Sequence, residues 1–225
     1  MVQDSRVAVI GGGIAGLVAA CELSKSGARV TLFERRPHLG GLASSFEIEQ
    51  GHHIEKYYHF ICRPDKAYLE MLAELGLSSR VHWVTTKMGL FYNGSLYSLG
   101  DPITLFAFPH LSILDKIRFG WSTAVSKLRG SKDWKNLENI PASDWLIRRY
   151  GRRTYEILYK PLLDLKFRER APKISAAWMW GRFHRLGNSR TVTQKERVGY
   201  VDGGTQAYVD ALVKRIRAGG GDIRT

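Results

Sequence analysis

Apolar positions change their period twice in the first 35 residues. Val7-Ala8-Val9-Ile10 is a short unbroken apolar run, as expected of a strand covered on both faces. Ile14, Leu17, Val18 and Cys21 then recur at helical spacing, and Gly27 stands where a helix-ending glycine belongs. Val30-Thr31-Leu32-Phe33 returns to a β-branched apolar run, so the opening reads strand, turn, helix, strand. Farther on, Leu90-Phe91-Tyr92 and Leu96-Tyr97-Ser98-Leu99 flank Asn93-Gly94, a pair that supplies the two positive-φ positions of a type I′ hairpin turn. With Val81-His82-Trp83-Val84 this hairpin predicts a small antiparallel sheet. From Ser112 the pattern turns helical, over 112–128, 143–150, 154–166 and 175–186. Lys132 to Ile140 reads as a polar link, and Pro141 followed by Ser143 as a turn into a capped helix. A last amphipathic helix is expected from Gln206 to Ala218, with Tyr208, Leu212 and Val213 on one side. Gly219-Gly220-Gly221 closes it, and the residues that follow read as the start of a strand.

The first turn carries chemistry. Gly11-Gly12-Gly13-Ile14-Ala15-Gly16 has the GxGxxG spacing between a strand and a helix, and Glu34 lies 23 positions after Gly11 at the end of the second strand. Gly11 allows the tight turn, Gly13 admits a pyrophosphate close to the backbone, and Gly16 lets the helix pack on the strand. The helix N-terminus offers free N–H groups to phosphate, and Glu34 is placed to accept from an adenosine ribose. A rival reading makes Val7 to Ala20 the core of a secretory signal, with Val18-Ala19-Ala20-Cys21 as a lipoprotein cleavage box. The glycine-rich core and the correctly spaced strand and acid argue against it.

Glu34 is followed by Arg35-Arg36-Pro37-His38-Leu39-Gly40-Gly41-Leu42. At this point the sequence resembles the flavoprotein superfamily of amine oxidases, protoporphyrinogen oxidases, phytoene desaturases and UDP-galactopyranose mutases, in which a Gly-Gly pair after the acid closes over FAD. His38 stands where that group usually has a basic residue, and Leu42 where amine oxidases have arginine, which tilts the resemblance towards the desaturase-like branch. A second agreement is Tyr200-Val201-Asp202-Gly203-Gly204-Thr205, a glycine pair opening a helix. The resemblance implies FAD as cofactor, held by Gly11, Gly13, Ile14, Ala15, Gly16, Glu34, Arg35, Gly40, Gly41 and Leu42. NAD is the alternative if Gly40-Gly41 is an ordinary flexible turn. Arg35 and Arg36 would suit the 2′-phosphate of NADP, which Glu34 would repel.

The implied fold is α/β. A Rossmann-like FAD-binding domain with a parallel sheet takes residues 1–50 and 198–225, and an α+β substrate domain is inserted over 51–197. The group carries a further flavin-contacting segment beyond the point where this chain stops, so the expectation is a fragment truncated at its C-terminus. The implied activity is FAD-dependent oxidoreduction, with hydride passing from a substrate carbon or C–N bond to the flavin. A redox-neutral isomerase or mutase of the UDP-galactopyranose mutase type is the alternative, and a non-catalytic dinucleotide-binding fragment a third. The stretch after the Gly-Gly pair forms a wall of the flavin site in that group, which makes Tyr58 and His59 the catalytic candidates. Equally, they could sit in a tyrosine-rich packing cluster.

Charge adds one constraint. Residues 1–110 carry ten Lys/Arg and ten Asp/Glu, whereas residues 111–225 carry 24 against 11, so the whole formal +13 lies in the second half. A basic half fits a phosphate-bearing substrate, an anionic membrane surface or a plain solvated face. No helix-turn-helix, zinc or RNA-binding pattern accompanies it, so nucleic acid is not an expected partner. The substrate is read as a small molecule, hydrophobic or phosphate-bearing. Ile103 to Leu114 is too short and too broken by Pro109 and His110 to span a bilayer. It is read as a buried helix, the alternative being an interfacial segment with Ile117, Phe119 and Trp121 beside Lys116 and Arg118. His52, His53, His59 and Cys62 match no metal-binding spacing, and Cys21 and Cys62 suggest no disulfide framework. The expected compartment is cytoplasmic, with peripheral contact at the inner face of a membrane as a further expectation.

Overall fold

The computed structural model describes residues 4–50, 52–128, 132–189 and 197–225. The chain divides into two compact units, Met1–Val84 with Val198–Thr225, and Thr85–Arg197.

In the first unit, β1 (Arg6–Ile10), α1 (Ile14–Lys25) and β2 (Arg29–Phe33) follow each other as the apolar pattern predicts. β1 and β2 pair in parallel, Val7 opposite Val30 and Ile10 opposite Phe33. α1 buries Leu17, Ala20, Cys21 and Ser24, one stripe at helical spacing, while Ile14 and Val18 pack at its margin. β3 (Ser45–Glu49) and β4 (His52–Glu55) form an antiparallel pair, followed by α2 (Lys66–Glu74) and β5 (Val81–Thr85). The second unit begins with β6 (Gly89–Tyr92) and β7 (Ser95–Ser98), joined by Asn93 at φ 49° and Gly94 at φ 77°, as a type I′ turn requires.

Helices follow: α3 (Pro102–Ala107), α4 (Ile113–Leu128), α5 (Ala142–Tyr150), α6 (Arg152–Thr154), a π turn over Tyr155–Tyr159, α7 (Lys160–Phe167) and α8 (Ala176–Asn188). Ala142, Trp145, Leu146, Tyr150, Leu163, Ala176 and Met179 make their core. Phe108, Leu111 and Ile157 form a smaller core under the hairpin. The chain then returns to the first unit as β8 (Arg197–Val201), α9 (Gly204–Ala218) and β9 (Asp222–Arg224). β9 joins β2 in parallel, giving the order β1-β2-β9. Tyr208, Val209, Leu212 and Ile216 of α9 complete the core made by α1, β2 and Leu72 of α2. Tyr68 and Tyr208 meet edge to face there, and burial pushes both phenols up to about 12. Among the described residues no helix is long and apolar enough to cross a membrane.

Four details differ from the sequence reading. Residues 52–84, read as part of the inserted domain, group with the first unit because Ile61, Leu72 and Leu77 bury themselves in its core. β5 pairs with β8, not with the hairpin, which stands as its own two-stranded sheet. Mutual backbone hydrogen bonds between Ile61 and Gly199, and one from Asp202 N to Arg80 O, draw β8 to that place. Ser143 does not cap α5. Pro141 holds the cap position and bridges to Ser175, while Ala142 N donates to Ile174 O at 2.7 Å. Ile103 to Leu114 is not one buried helix, since Phe108 and Leu111 are buried while Ile103, Phe106, Ile113 and Leu114 face outward.

Candidate functional site

The site is built where β1 and β2 end. Gly11, at φ 105°, turns the chain away from β1, and its N–H donates to Phe33 O at 2.7 Å. Gly13 is extended, at φ −73° and ψ 173°, and starts α1. A Cβ on Gly16 would overlap the Gly11 carbonyl oxygen, so a side chain there would push the helix off the turn.

The two glycine motifs meet. Gly40 N donates to Gly12 O at 2.7 Å, and Gly13 and Gly40 form a parallel bridge. Gly40 and Gly41 both have positive φ, 102° and 60°, and a Cβ on Gly41 would stand 3.1 Å from Gly13 Cα. That approach is tighter than most side-chain contacts, and together with the positive φ it favours glycine at position 41. The face of Gly11 is open, with nothing within 4 Å of where a Cβ would stand.

Glu34 closes the arrangement. Its backbone N–H donates to Arg224 O of β9 at 2.8 Å. Its carboxylate accepts from Gly12 N at 2.7 Å and Arg36 N at 3.0 Å. The Gly12 N–H first, and the Arg36 N–H after it, hold the acid below its ordinary value. Beside it lies an open cavity of about 370 Å³ lined by Ile10, Gly11, Phe33, Glu34, Arg35, Arg36, His38 and Gly41. The Arg224 guanidinium lies 5.6 Å from the centre of the Phe33 ring and pairs with Asp222 at 2.7 Å. Lys56 Nζ and His38 Nε2 are 3.2 Å apart.

Gly203-Gly204 supports this site from behind. Thr205 N donates to Glu55 Oε1 at 3.1 Å and Thr205 Oγ1 to Ala43 O at 2.6 Å, which seats α9 on β4 and on the turn that follows Gly40. Gly204, at φ 64°, takes a left-handed conformation that favours glycine, and a Cβ there would meet the Glu55 carboxylate.

Of the residues read from sequence, Gly11, Glu34, Arg35 and Gly41 line the cavity, and Gly13 and Gly40 form the contact beneath it. Ile14, Ala15 and Gly16 make the first turn of α1, and Leu42 is largely exposed on the short turn Gly41–Ala43. Tyr58 and His59 do not line the cavity. Tyr58 is exposed and stacks on Phe60 with ring centres 6.1 Å apart. Ile10 and Phe33 also line it without having been anticipated, as do His38 and Arg36, the last considered only for the 2′-phosphate of NADP. A rule available from sequence could have found the first two, because they are the last residues of parallel strands, where open α/β sheets bind ligands. Among the described residues no group of three His, Cys, Asp or Glu is placed to hold a metal ion. The arrangement suits a ligand with an anionic middle and a hydroxyl-bearing end: a helix N-terminus and bare glycine faces for the first, a pinned carboxylate for the second.

Comparison with known proteins agrees with this geometry. Residues 9–75 match the NAD(P)-binding Rossmann-like domain family. The chain is 30% identical over 245 residues to the neurosporene-forming phytoene desaturase of Rhodobacter capsulatus, a match that covers 97% of this chain and 45% of that protein. It is 28% identical over 169 residues to the zeta-carotene desaturase of Zea mays, covering 66% of this chain and 29% of the relative. Its fold resembles that of putrescine oxidase bound to putrescine, with TM-score 0.64 and 18% identity, covering 98% of this chain and 51% of that structure. The chain thus spans less than half the length of these two desaturases. These sequence relatives are carotenoid desaturases, and the likeness to putrescine oxidase is one of fold.

Proposed function

We propose that this chain holds the adenosine and diphosphate part of FAD for a desaturase- or amine oxidase-like oxidoreductase. The observation that carries the reading is the stacking of Gly13 on Gly40-Gly41, with the Glu34 carboxylate at the rim of the same cavity. The N–H groups at the start of α1 would meet the diphosphate, and the open faces of Gly11 and Gly13 give it room. Glu34, held ionised by Gly12 and Arg36, would accept from the ribose hydroxyls. Ile10 and Phe33 offer apolar walls to the adenine, and the Glu34 charge disfavours a 2′-phosphate there. When bound, FAD would supply hydride acceptance, while the residues of this chain bind and orient it.

The carotenoid desaturase relatives support an apolar polyene as substrate. The test is to purify the full protein, release its cofactor and identify it. FAD in near-equimolar amount is expected, and NADP, or no nucleotide under reconstitution, would refute the assignment. Adding polyenes, amines or porphyrinogens without oxygen then separates oxidoreduction from a redox-neutral isomerase or mutase. Only an oxidoreductase substrate bleaches the oxidised flavin.

A further inference from the structure

α4 is amphipathic in the reverse sense. Towards the protein it turns the buried Ser122, the half-buried Asp115 and Phe119, and Arg118, whose guanidinium donates to Arg148 O at 2.7 Å and Arg149 O at 3.2 Å. Away from the protein it shows Ile113, Leu114, Ile117 and Trp121, four large apolar side chains within one face of the helix. α3 adds Ile103 and Phe106, and all six are 54–80% exposed. Lys116 ties the two helices together: its ammonium donates to Phe106 O at 2.7 Å and lies 5.7 Å from the centre of the Phe106 ring. Six large apolar side chains shown to solvent on two neighbouring helices are the mark of an interaction surface.

The charges around the stripe choose the partner. On the helical wheel of α4, Lys116 flanks one edge of the stripe, while Arg118 at the other edge is folded back onto the α5 carbonyls. Arg153 reaches the corner between α3 and α4, donating to His110 O at 3.0 Å, and Arg152 beside it is largely exposed. Asp115 is the one acid on α4, and it is tied to the N–H and hydroxyl of Ser112. An apolar face bearing Trp, Ile, Leu and Phe, edged by cations, fits the headgroup boundary of an anionic bilayer.

We propose that α3 and α4 dock this protein on anionic membranes, with the Ile103–Phe106 and Ile113–Trp121 faces buried below the headgroups. The surface is independent of the cofactor reading and is tested separately. The full protein is sedimented with vesicles of equal parts phosphatidylcholine and phosphatidylglycerol, and with vesicles of phosphatidylcholine alone, at low and high salt. Binding to the first and much less to the second is expected, weakened by salt. The triple variant L114S/I117S/W121S should lose about tenfold or more in vesicle affinity. These side chains are exposed, so its thermal unfolding should match the parent, and I103S/F106S tests the same face from α3 if the triple variant does not fold. The proposal is overturned if the parent ignores both vesicles or if the variants bind as well as the parent. It is equally overturned if the variants lose a self-associated state and keep their vesicle affinity, which would make the face an interface between copies of the chain.

Discussion

Gly13 and Gly16 sit three residues apart in one motif, and the structure predicts opposite consequences for giving each a methyl group. Gly13 has an ordinary extended backbone, and its Cβ would meet only Gly41 Cα, at 4.0 Å. Gly13→Ala therefore costs no steric strain. The gain from a stiffer unfolded chain, about 0.4–1 kcal/mol, opposes the loss of a better helix cap, roughly 0.5–1 kcal/mol. The net change is under about 1 kcal/mol, a Tm shift within about 4 °C for a chain of this size. The cofactor should suffer far more. The methyl would stand where the diphosphate approaches the backbone, and losing one or two hydrogen bonds to a charged group, about 1.5–3 kcal/mol each, weakens binding by roughly 10²-fold or more. Gly16→Ala should do the reverse. Its Cβ overlaps the Gly11 carbonyl oxygen, the helix must move off the turn, and the cofactor-free protein should lose about 1–3 kcal/mol or more. Thermal unfolding of the apoprotein and a flavin fluorescence titration measure the two effects apart. An unchanged FAD affinity in Gly13→Ala, or a loss of apoprotein stability equal to that of Gly16→Ala, would refute the reasoning.

Glu34→Ala should lower FAD affinity by about 10- to 100-fold, by loss of hydrogen bonds to the ribose, as read by the same titration. Because the Gly12 N–H keeps the folded pKa of Glu34 below its ordinary 4.5, its stabilisation is present above that value and is lost as pH falls through the lower folded value. The stability gap between parent and Glu34→Gln, measured by denaturant unfolding, should accordingly narrow as pH falls below 4.5. Tyr68 and Tyr208, pushed up to about 12 by burial, should ionise two units above exposed tyrosines in a phenolate absorbance titration. Their contribution to stability is whole below about pH 10 and is lost as pH rises towards 12. Gly94→Ala puts a side chain at φ 77° in the β6–β7 turn and should cost about 1 kcal/mol, read as a lower midpoint in denaturant.

What could be read from the sequence was local chemistry. A buried parallel strand leaves an unbroken apolar run, and a glycine turn before a helix leaves its spacing, so β1, α1 and β2 fall where Val7–Ile10, Ile14–Cys21 and Val30–Phe33 predict. Asn93-Gly94 fixes its hairpin for the same reason. Pairing at a distance leaves no such trace. Nothing around Val81–Val84 distinguishes the hairpin next to it from β8, more than a hundred residues on, and the backbone bonds of Ile61 with Gly199 and of Arg80 with Asp202 decide it. Periodicity failed differently in α4. The spacing of Ile113, Ile117 and Trp121 establishes that the helix has an apolar face, but a period carries no information about which side the rest of the protein occupies. The carbonyls at the end of α5 needed donors, and Arg118 and Ser122 supply them, so the polar side of α4 was drawn inward. The apolar side was left outward by that choice, which is why Ile113 and Leu114, the end of a run read as a buried helix, are exposed beside Ile117 and Trp121. The glycine site obeys the same logic with a different outcome. Gly13 and Gly40 are each legible as turn residues, but their contact is a property of the pair, and it exists because two short strands end at the same edge and bring their turns together.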